Sequence, residues 1–322
     1  MKRVSQLSLV LVLWTGIVRA ETVTLATYNI EHFANHFLAH RLGTTRPAVL
    51  PHDPAVADLL QEMRNANDKA NWITAQTILD PGFNPDVLVI EEGCDQSDLN
   101  RFNKTWLKNA YATAIVFPSN TTRGQTLCLL AKPGFKILER KDQYYLEPDS
   151  AKNERGERLF ARGPSFVLIE TPSGFKLWVG VTHQKSKSGN NAEVTAWRNR
   201  EAKRTHEIIK ELENQGPANV VLLGDMNDEL GIQEFEQEGG GDVIANLVGP
   251  PSDGLILATK PLADSGAISF GGYWRPDFRS FIDHIIVTAA LKDRVEEVKV
   301  FTDGLARASS DHYPVMIKIK TD

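Results

Sequence analysis

The chain has 322 residues, 42% of them hydrophobic and 24% charged. That is too long for a small disulfide-stapled module and apolar enough to fill a core, which excludes disordered, fibrous and collagen-like classes. The formal net charge of −5 has the wrong sign for a simple electrostatic clamp on nucleic acid, so a polyanionic ligand would need attraction from another source.

Lys2 and Arg3 precede an apolar stretch, residues 7–18, that is too short to cross a bilayer and ends in the small-residue pattern Val18-Arg19-Ala20. Residues 1–20 are therefore expected to be a signal peptide cleaved near Ala20. Residues 21–322 are then a single domain secreted to the periplasm or the extracellular space. The leader carries Lys2, Arg3 and Arg19 and no acid, which leaves 33 basic against 41 acidic residues, a net charge of −8. No later run approaches spanning length, so no stable membrane insertion is expected, and a monomer is.

Residues 23–30 read as a strand that runs into polar residues. Residues 55–79 read as a helix with a break. Residues 86–90 (DVLVI) form a short continuous apolar run, the pattern of a strand buried on both faces. Further strands are expected over 125–131, 165–170 and 175–181, the last two joined as a hairpin by Thr171-Pro172-Ser173-Gly174. The clearest helix spans 192–212, with Val194, Trp197, Thr205, Ile208, Ile209 and Leu212 on one stripe and Gly216-Pro217 closing it. Arg198, Arg200, Lys203 and Arg204 on the same helix read as a solvated face, with the alternative that one of them turns toward the cleft. Strands over 219–223, 281–287, 295–301 and 314–319 complete the set. Strands and helices mix without strict alternation, which favours packed mixed sheets flanked by helices over one doubly wound sheet.

Cys94 and Cys128 are the only cysteines. Export permits a disulfide between them, but Cys128 lies in an apolar strand-like run, and two buried thiols are the favoured reading. Asn103-Lys104-Thr105 and Asn120-Thr121-Thr122 are glycosylation sequons, relevant only in a host that glycosylates its secreted proteins.

Polar residues collect just after the strands: Asn29 and Glu31, Glu91-Glu92, Thr182-His183, Asp225 and Asn227-Asp228, with Asp283-His284 and Ser310-Asp311-His312 near the C-terminus. Strand alternation puts Asn29 with Glu31, and Asp225 with Asn227, on one side if the backbone stays extended. Carboxylates and amides at strand ends suit a hard divalent cation, which takes oxygen ligands and needs only one or two carboxylates beside a substrate phosphate.

Each fragment alone is weak. In order, ATYNIE, DVLVIEE, THQKSK, LGDMND, FIDHI and SSDHYPV resemble the successive motifs of the endonuclease/exonuclease/phosphatase superfamily, whose members include deoxyribonuclease I, abasic-site endonucleases, neutral sphingomyelinases and inositol polyphosphate 5-phosphatases. The matches run from Asn29 to His312. The opening motif and THQKSK look most similar to the secreted bacterial nuclease-like branch. The resemblance implies an α/β (α+β) fold, a four-layer αββα sandwich of two mixed sheets packed face to face. It implies Mg²⁺ or Mn²⁺, with Ca²⁺ as an alternative, held by Asn29 and Glu92, with Glu31 and Asp311 direct or water-mediated. Asp225 would activate the attacking water, Asn227 and His183 would hydrogen-bond the phosphoryl group, and His312 would be oriented by Asp283. The reaction would be in-line attack of water on a phosphodiester, most of all DNA or RNA, with the metal as main electrophile. A phosphatase or a sphingomyelinase-like phospholipase C would use the same residues. A non-catalytic binding protein is disfavoured, because no expected catalytic position carries an inert residue.

The sequence departs from the family pattern at Glu91, where Gln is usual, at His32, and at Gln184, where an apolar residue is usual. Glu91 should point away from Glu92. Lys185, Lys187 and Arg162 are expected to contact phosphate. His32, His36 and His40 fall four apart and read as a solvated segment rather than as a second, softer metal site. Trp274-Arg275, in the Gly-rich loop 270–278, reads equally as a stacking platform and as an aromatic loop anchor.

Overall fold

The computed structural model describes residues 21–31, 67–121, 124–151, 157–189, 191–271 and 278–322. Residues 1–20, where a signal peptide is expected, the His32/His36/His40 triplet and the Trp274-Arg275 pair lie outside these residues.

Two mixed six-stranded sheets form the middle of the molecule. The first has the order β11-β12-β1-β2-β4-β3, built from β1 (Thr22–Asn29), β2 (Val87–Gly93), β3 (Thr113–Val116), β4 (Thr126–Ala131), β11 (Val295–Val300) and β12 (Val315–Lys320). The second has the order β5-β6-β7-β8-β10-β9, built from β5 (Lys136–Lys141), β6 (Ser165–Glu170), β7 (Lys176–His183), β8 (Val220–Asp225), β9 (Leu255–Leu257) and β10 (Asp283–Thr288). Each sheet has one parallel pair at its centre, β1 with β2 and β7 with β8, and is otherwise antiparallel.

The central strands lack polar alternation because both of their faces are covered. On one face Leu25, Val89, Leu129, Val179, Val221 and Ile285 belong to the core between the sheets. On the other face of the first sheet, Tyr28, Leu88, Ile90 and Leu130 pack with Ala75 and Ile78 of α1 (residues 67–78) and with Leu99 and Phe102 of α2 (Gln96–Thr105). On the outer face of the second sheet, Phe166, Trp178 and Leu222 pack with Ala202, Ile208, Ile209 and Leu212 of α3 (Ala192–Gln215) and with Val243, Ile244 and Leu247 of α4 (Val243–Val248). This is the four-layer αββα sandwich expected from the sequence.

Five of these elements were not expected from the sequence: β3, β5, β9, α2 and α4. The helix 192–212 is present and three residues longer. Its charged side chains correct one expectation, because Arg198 is fully buried rather than solvated. Cys94 and Cys128 are free, buried and in contact with each other. Both sequon asparagines are engaged inward: Asn103 Nδ2 donates to Tyr111 O at 2.8 Å, and Asn120 Nδ2 to Phe160 O at 2.8 Å.

Candidate active site

The strand register builds the site. His183 lies opposite Asp225 across the parallel pair β7–β8, and Asp283 lies opposite Asp225 across β8–β10, so three strands deliver three polar residues at one level. Gly224 allows this close approach: a Cβ there would sit 2.0 Å from Thr182 O. In the other sheet β1 and β2 end side by side, with Asn29 opposite Glu91. The chain leaving each strand then turns sharply. Glu31 (φ 45°), Glu92 (φ 55°) and Asn227 (φ 50°) all sit in the left-handed region, which non-glycine residues rarely occupy. The expectation of extended backbone at Glu31 and Asn227 is thus corrected, and the turns carry both side chains into the cleft.

Asp225 is the hub. Its Oδ1 accepts from Asn227 N at 2.8 Å. Its Oδ2 accepts from Asn29 Nδ2 at 3.0 Å and lies 3.3 Å from His183 Nε2 and 3.8 Å from His312 Nε2. His312 Nδ1 is 2.9 Å from Asp283 Oδ2, and the Phe270 ring packs on the imidazole at 4.8 Å between centroids. Ser310 ties the segment leading into β12 to the end of β1, its hydroxyl donating to Asn29 O at 2.7 Å while accepting from His312 N at 3.1 Å.

Burial sets the protonation of this group. It pushes the Asp225 carboxyl up to about 7, with Asp283 adding to the shift while His312 and the Asn227 and Asn29 hydrogen bonds oppose it. Burial alone would lower His312, but the charge and hydrogen bond of Asp283, aided by Asp225 and Asp311, outweigh it and raise the imidazole to about 10. Asp225 is therefore poised near neutrality beside an imidazolium. Glu91 lies beneath: it is fully buried, its Oε1 accepts from Thr27 Oγ1 at 2.7 Å, and burial holds its carboxyl well above the usual range. As a neutral acid it resembles the Gln usual at that place.

A pocket of about 280 Å³ is lined by Glu31, Glu92, Asp311, His183, Asp225, Asn227, His312 and Arg162, together with Gln125, Ser186, Phe270 and Ile282. Asp283 stands behind His312. Asn29, expected among the metal ligands, does not reach this wall. Its Nδ2 is given to the Asp225 carboxylate and its Oδ1 accepts from the Glu31 backbone N at 3.1 Å. Glu31, Glu92, Asp311 and Asp225 put carboxylate oxygens on this wall, the donors that a hard divalent cation takes. Asp225, Asp283 and His312 also lie close enough to hold an ion, but their mutual hydrogen bond and charge pairing already account for that cluster.

Of the expected phosphate contacts, Arg162 lines the pocket. Lys185 turns toward Trp197, its Nζ 6.0 Å from the ring centroid, and its backbone N donates to Glu201 at 3.0 Å. Lys187 Nζ sits between Asp228 (2.5 Å) and Glu236 (3.2 Å). A second cavity of about 1000 Å³ adjoins the first, shares Asn227, Phe270 and Ile282 with it, and is also lined by Phe278, Arg279, Gln233 and Lys187. Gln125, Ser186 and Phe270 were not singled out from the sequence. Only Phe270 left a trace there, as the start of the Gly-rich loop.

Two sandwiched sheets with carboxylates, amides and a carboxylate-paired imidazole at one shared rim define a phosphoric ester hydrolase. Residues 26–312 match the model of the Endonuclease/Exonuclease/phosphatase family, and the chain belongs to that family. The fold is shared with truncated TDP2 of Caenorhabditis elegans (TM-score 0.59, 16% identity, 93% of this chain and 97% of that one). It is also shared with an endonuclease/exonuclease/phosphatase family protein of Bacteroides thetaiotaomicron (TM-score 0.60, 17% identity, 94% and 99%) and with a mannosyl-6-phosphatase of the same organism (TM-score 0.57, 18% identity, 92% and 98%). No curated protein matches the chain by sequence.

Proposed function

We propose that the protein is a divalent-metal-dependent phosphodiesterase acting on nucleic acid. The observation that carries this reading is the pairing of the two cavities. The carboxylate-lined pocket adjoins a larger one at Asn227 and Phe270, which leaves room beside the phosphate for the organic part of the ester. The exposed Phe278 ring and the neighbouring Arg279 offer a stacking surface and a cation there.

Glu31, Glu92 and Asp311 would hold the metal, Mg²⁺ or Mn²⁺. When bound, it supplies charge neutralisation at a phosphoryl oxygen. The remaining work falls to the chain. Asp225, raised to about 7, accepts a proton from the attacking water near neutral pH. His312, protonated and held by Asp283, stabilises negative charge developing on the phosphoryl oxygens, while His183 and the Asn227 amide donate to the same group. Arg162 binds a flanking phosphate.

A phosphatase is the second reading. Among the described residues, Lys185 and Lys187 are turned to other partners, which leaves few cations along the cleft for a long polyanion. A panel of plasmid DNA, single-stranded DNA, RNA, sphingomyelin, inositol phosphates and sugar phosphates, each with and without chelator, separates the readings. Cleavage of the nucleic acids supports the first, and hydrolysis of monoesters alone refutes it. Export is proposed from the Lys2-Arg3 and apolar N-terminal pattern. N-terminal sequencing of protein recovered outside the cytoplasm should begin near Glu21, and recovery of an uncleaved chain from the cytoplasm alone would refute it.

A further inference from the structure

Arg198 is the largest fully buried side chain among the described residues. Its Nη2 lies 2.7 Å from Asp228 Oδ2 and donates to Asn227 O at 2.9 Å, and its Nη1 lies 3.4 Å from Glu236 Oε1. Lys187 closes the lattice from the other side, meeting the same two carboxylates. Two cations and two anions thus balance, with Arg198, Asp228 and Glu236 at 0–1% exposure. They come from α3, the segment after β7, the turn after β8, and the short turn Glu234–Glu236. If only packing were at stake, an apolar set would serve at least as well, because desolvating charges offsets most of their attraction. A lattice of this kind fixes directions instead.

The direction it fixes is that of the β8 turn. Asn227 holds φ 50°, a left-handed conformation that asparagine tolerates better than most residues, and the bonds around it fix which way its side chain points. Its N–H is bound to Asp225 Oδ1, its carbonyl is bound by Arg198, and the next carbonyl, Asp228 O, is 3.0 Å from Nε2 of the buried His284. With both ends of the peptide clamped, the Asn227 side chain faces the pocket and Nδ2 reaches Gln184 O at 3.0 Å. We propose that Arg198 is a positioning residue for hydrolysis: together with Lys187, Asp228 and Glu236 it sets the Asn227 side chain at the reacting phosphate. This rests on the function proposed above. Lys187 thereby acts through the turn rather than by touching phosphate.

The test uses the full chain and four variants: Arg198→Lys, Glu236→Gln, Asn227→Ala and Arg198→Lys/Asn227→Ala. Lysine keeps the charge but lacks the fork that holds three acceptors at once. Arg198→Lys should lower kcat about 100-fold on an aryl phosphodiester with KM within about twofold, because small displacements of a positioned group cost that much. In the Asn227→Ala background the same substitution should cost less than about threefold, since its effect is routed through Asn227. Glu236→Gln, the milder change, should give a smaller kcat loss, and Arg198→Lys should speed exchange of the Asn227 N–H without touching Val221 or Leu223. Equal losses in the two backgrounds, or an unchanged kcat, would overturn the proposal. An Asn227 N–H that keeps its protection in Arg198→Lys, or protection lost uniformly along β8, would overturn it too. The exchange arm needs no turnover, so a wild type that hydrolyses no phosphoric ester defeats the proposed function while exchange still decides the role of Arg198.

Discussion

Replacing Asp283 with Asn removes one charge and almost no volume. The Oδ2 of Asp283 takes His312 Nδ1 at 2.9 Å, both residues are buried, and Oδ1 has no hydrogen-bond partner among the described residues, so the substitution perturbs one bond at the site. A buried hydrogen bond between charged groups contributes up to about 3 kcal/mol, which at about 1.4 kcal/mol per decade corresponds to about 100-fold in rate. The charge has a second effect. His312 stands at about 10 because Asp283 overrides the burial that would lower it. Without that charge burial regains ground, although Asp225 and Asp311 still favour the imidazolium. The alkaline limb of the rate profile should therefore move down by about one to two pH units. The assay is steady-state hydrolysis of an aryl phosphodiester at saturating Mg²⁺ from about pH 6 to about pH 10. A kcat within about threefold of wild type, with the alkaline limb in place, would refute the role given to this pair.

The chelated protein should lose thermal stability as pH rises. Asp225 and Glu201 are both raised by burial to about 7, so each stabilises the fold fully below the ordinary carboxylate value and loses that contribution as pH climbs through about 7. Calorimetry from about pH 5 to about pH 8 should show Tm falling, with Glu201→Gln flattening the slope; a Tm that rises over this window contradicts the buried neutral acids. Saturating Mg²⁺ should raise Tm near pH 8 by binding the folded chain only, and an unchanged Tm would count against the carboxylate site. On nucleic acid KM should climb steeply with salt, whereas a flat response would point to a small-molecule ester.

The parts of the fold legible in the sequence are those with doubled burial. DVLVI and NVVLL have no polar alternation because sheets and helices cover both faces, and the motif residues are visible because each stands where such a run stops. Edge elements hide for the opposite reason. The exposed β5 (KILERK) and the three-residue β9 carry no period long enough to detect. The helix α2 had a readable start: Asp95 caps it, accepting from Asp98 N at 2.8 Å, and Leu99 and Phe102 are its buried face. Two Asn, one Ser, one Asp and one Thr among its ten residues, all weak helix formers, masked that signal. In the site, the carboxylates and histidines were found by type and spacing. The duties of Asn29 and Lys187 were not, because a list of polar residues does not say which neighbour each one meets. Arg198 looked like one more surface cation on a basic helix. Its burial follows from where α3 crosses the β8 turn, a property of the tertiary packing that no local pattern encodes.

The central claim is that this rim is a metal-dependent hydrolytic site, and one titration tests it most directly. Purified protein is stripped with chelator, Mg²⁺ is restored stepwise, and release of product from an aryl phosphodiester is followed for the wild type and for Asp225→Asn, with melting curves showing that both remain folded. Hydrolysis that disappears on stripping, returns with Mg²⁺ and stays absent in Asp225→Asn is the expected result. Activity that survives chelation, or an Asp225→Asn variant that turns over at the wild-type rate, would contradict the account.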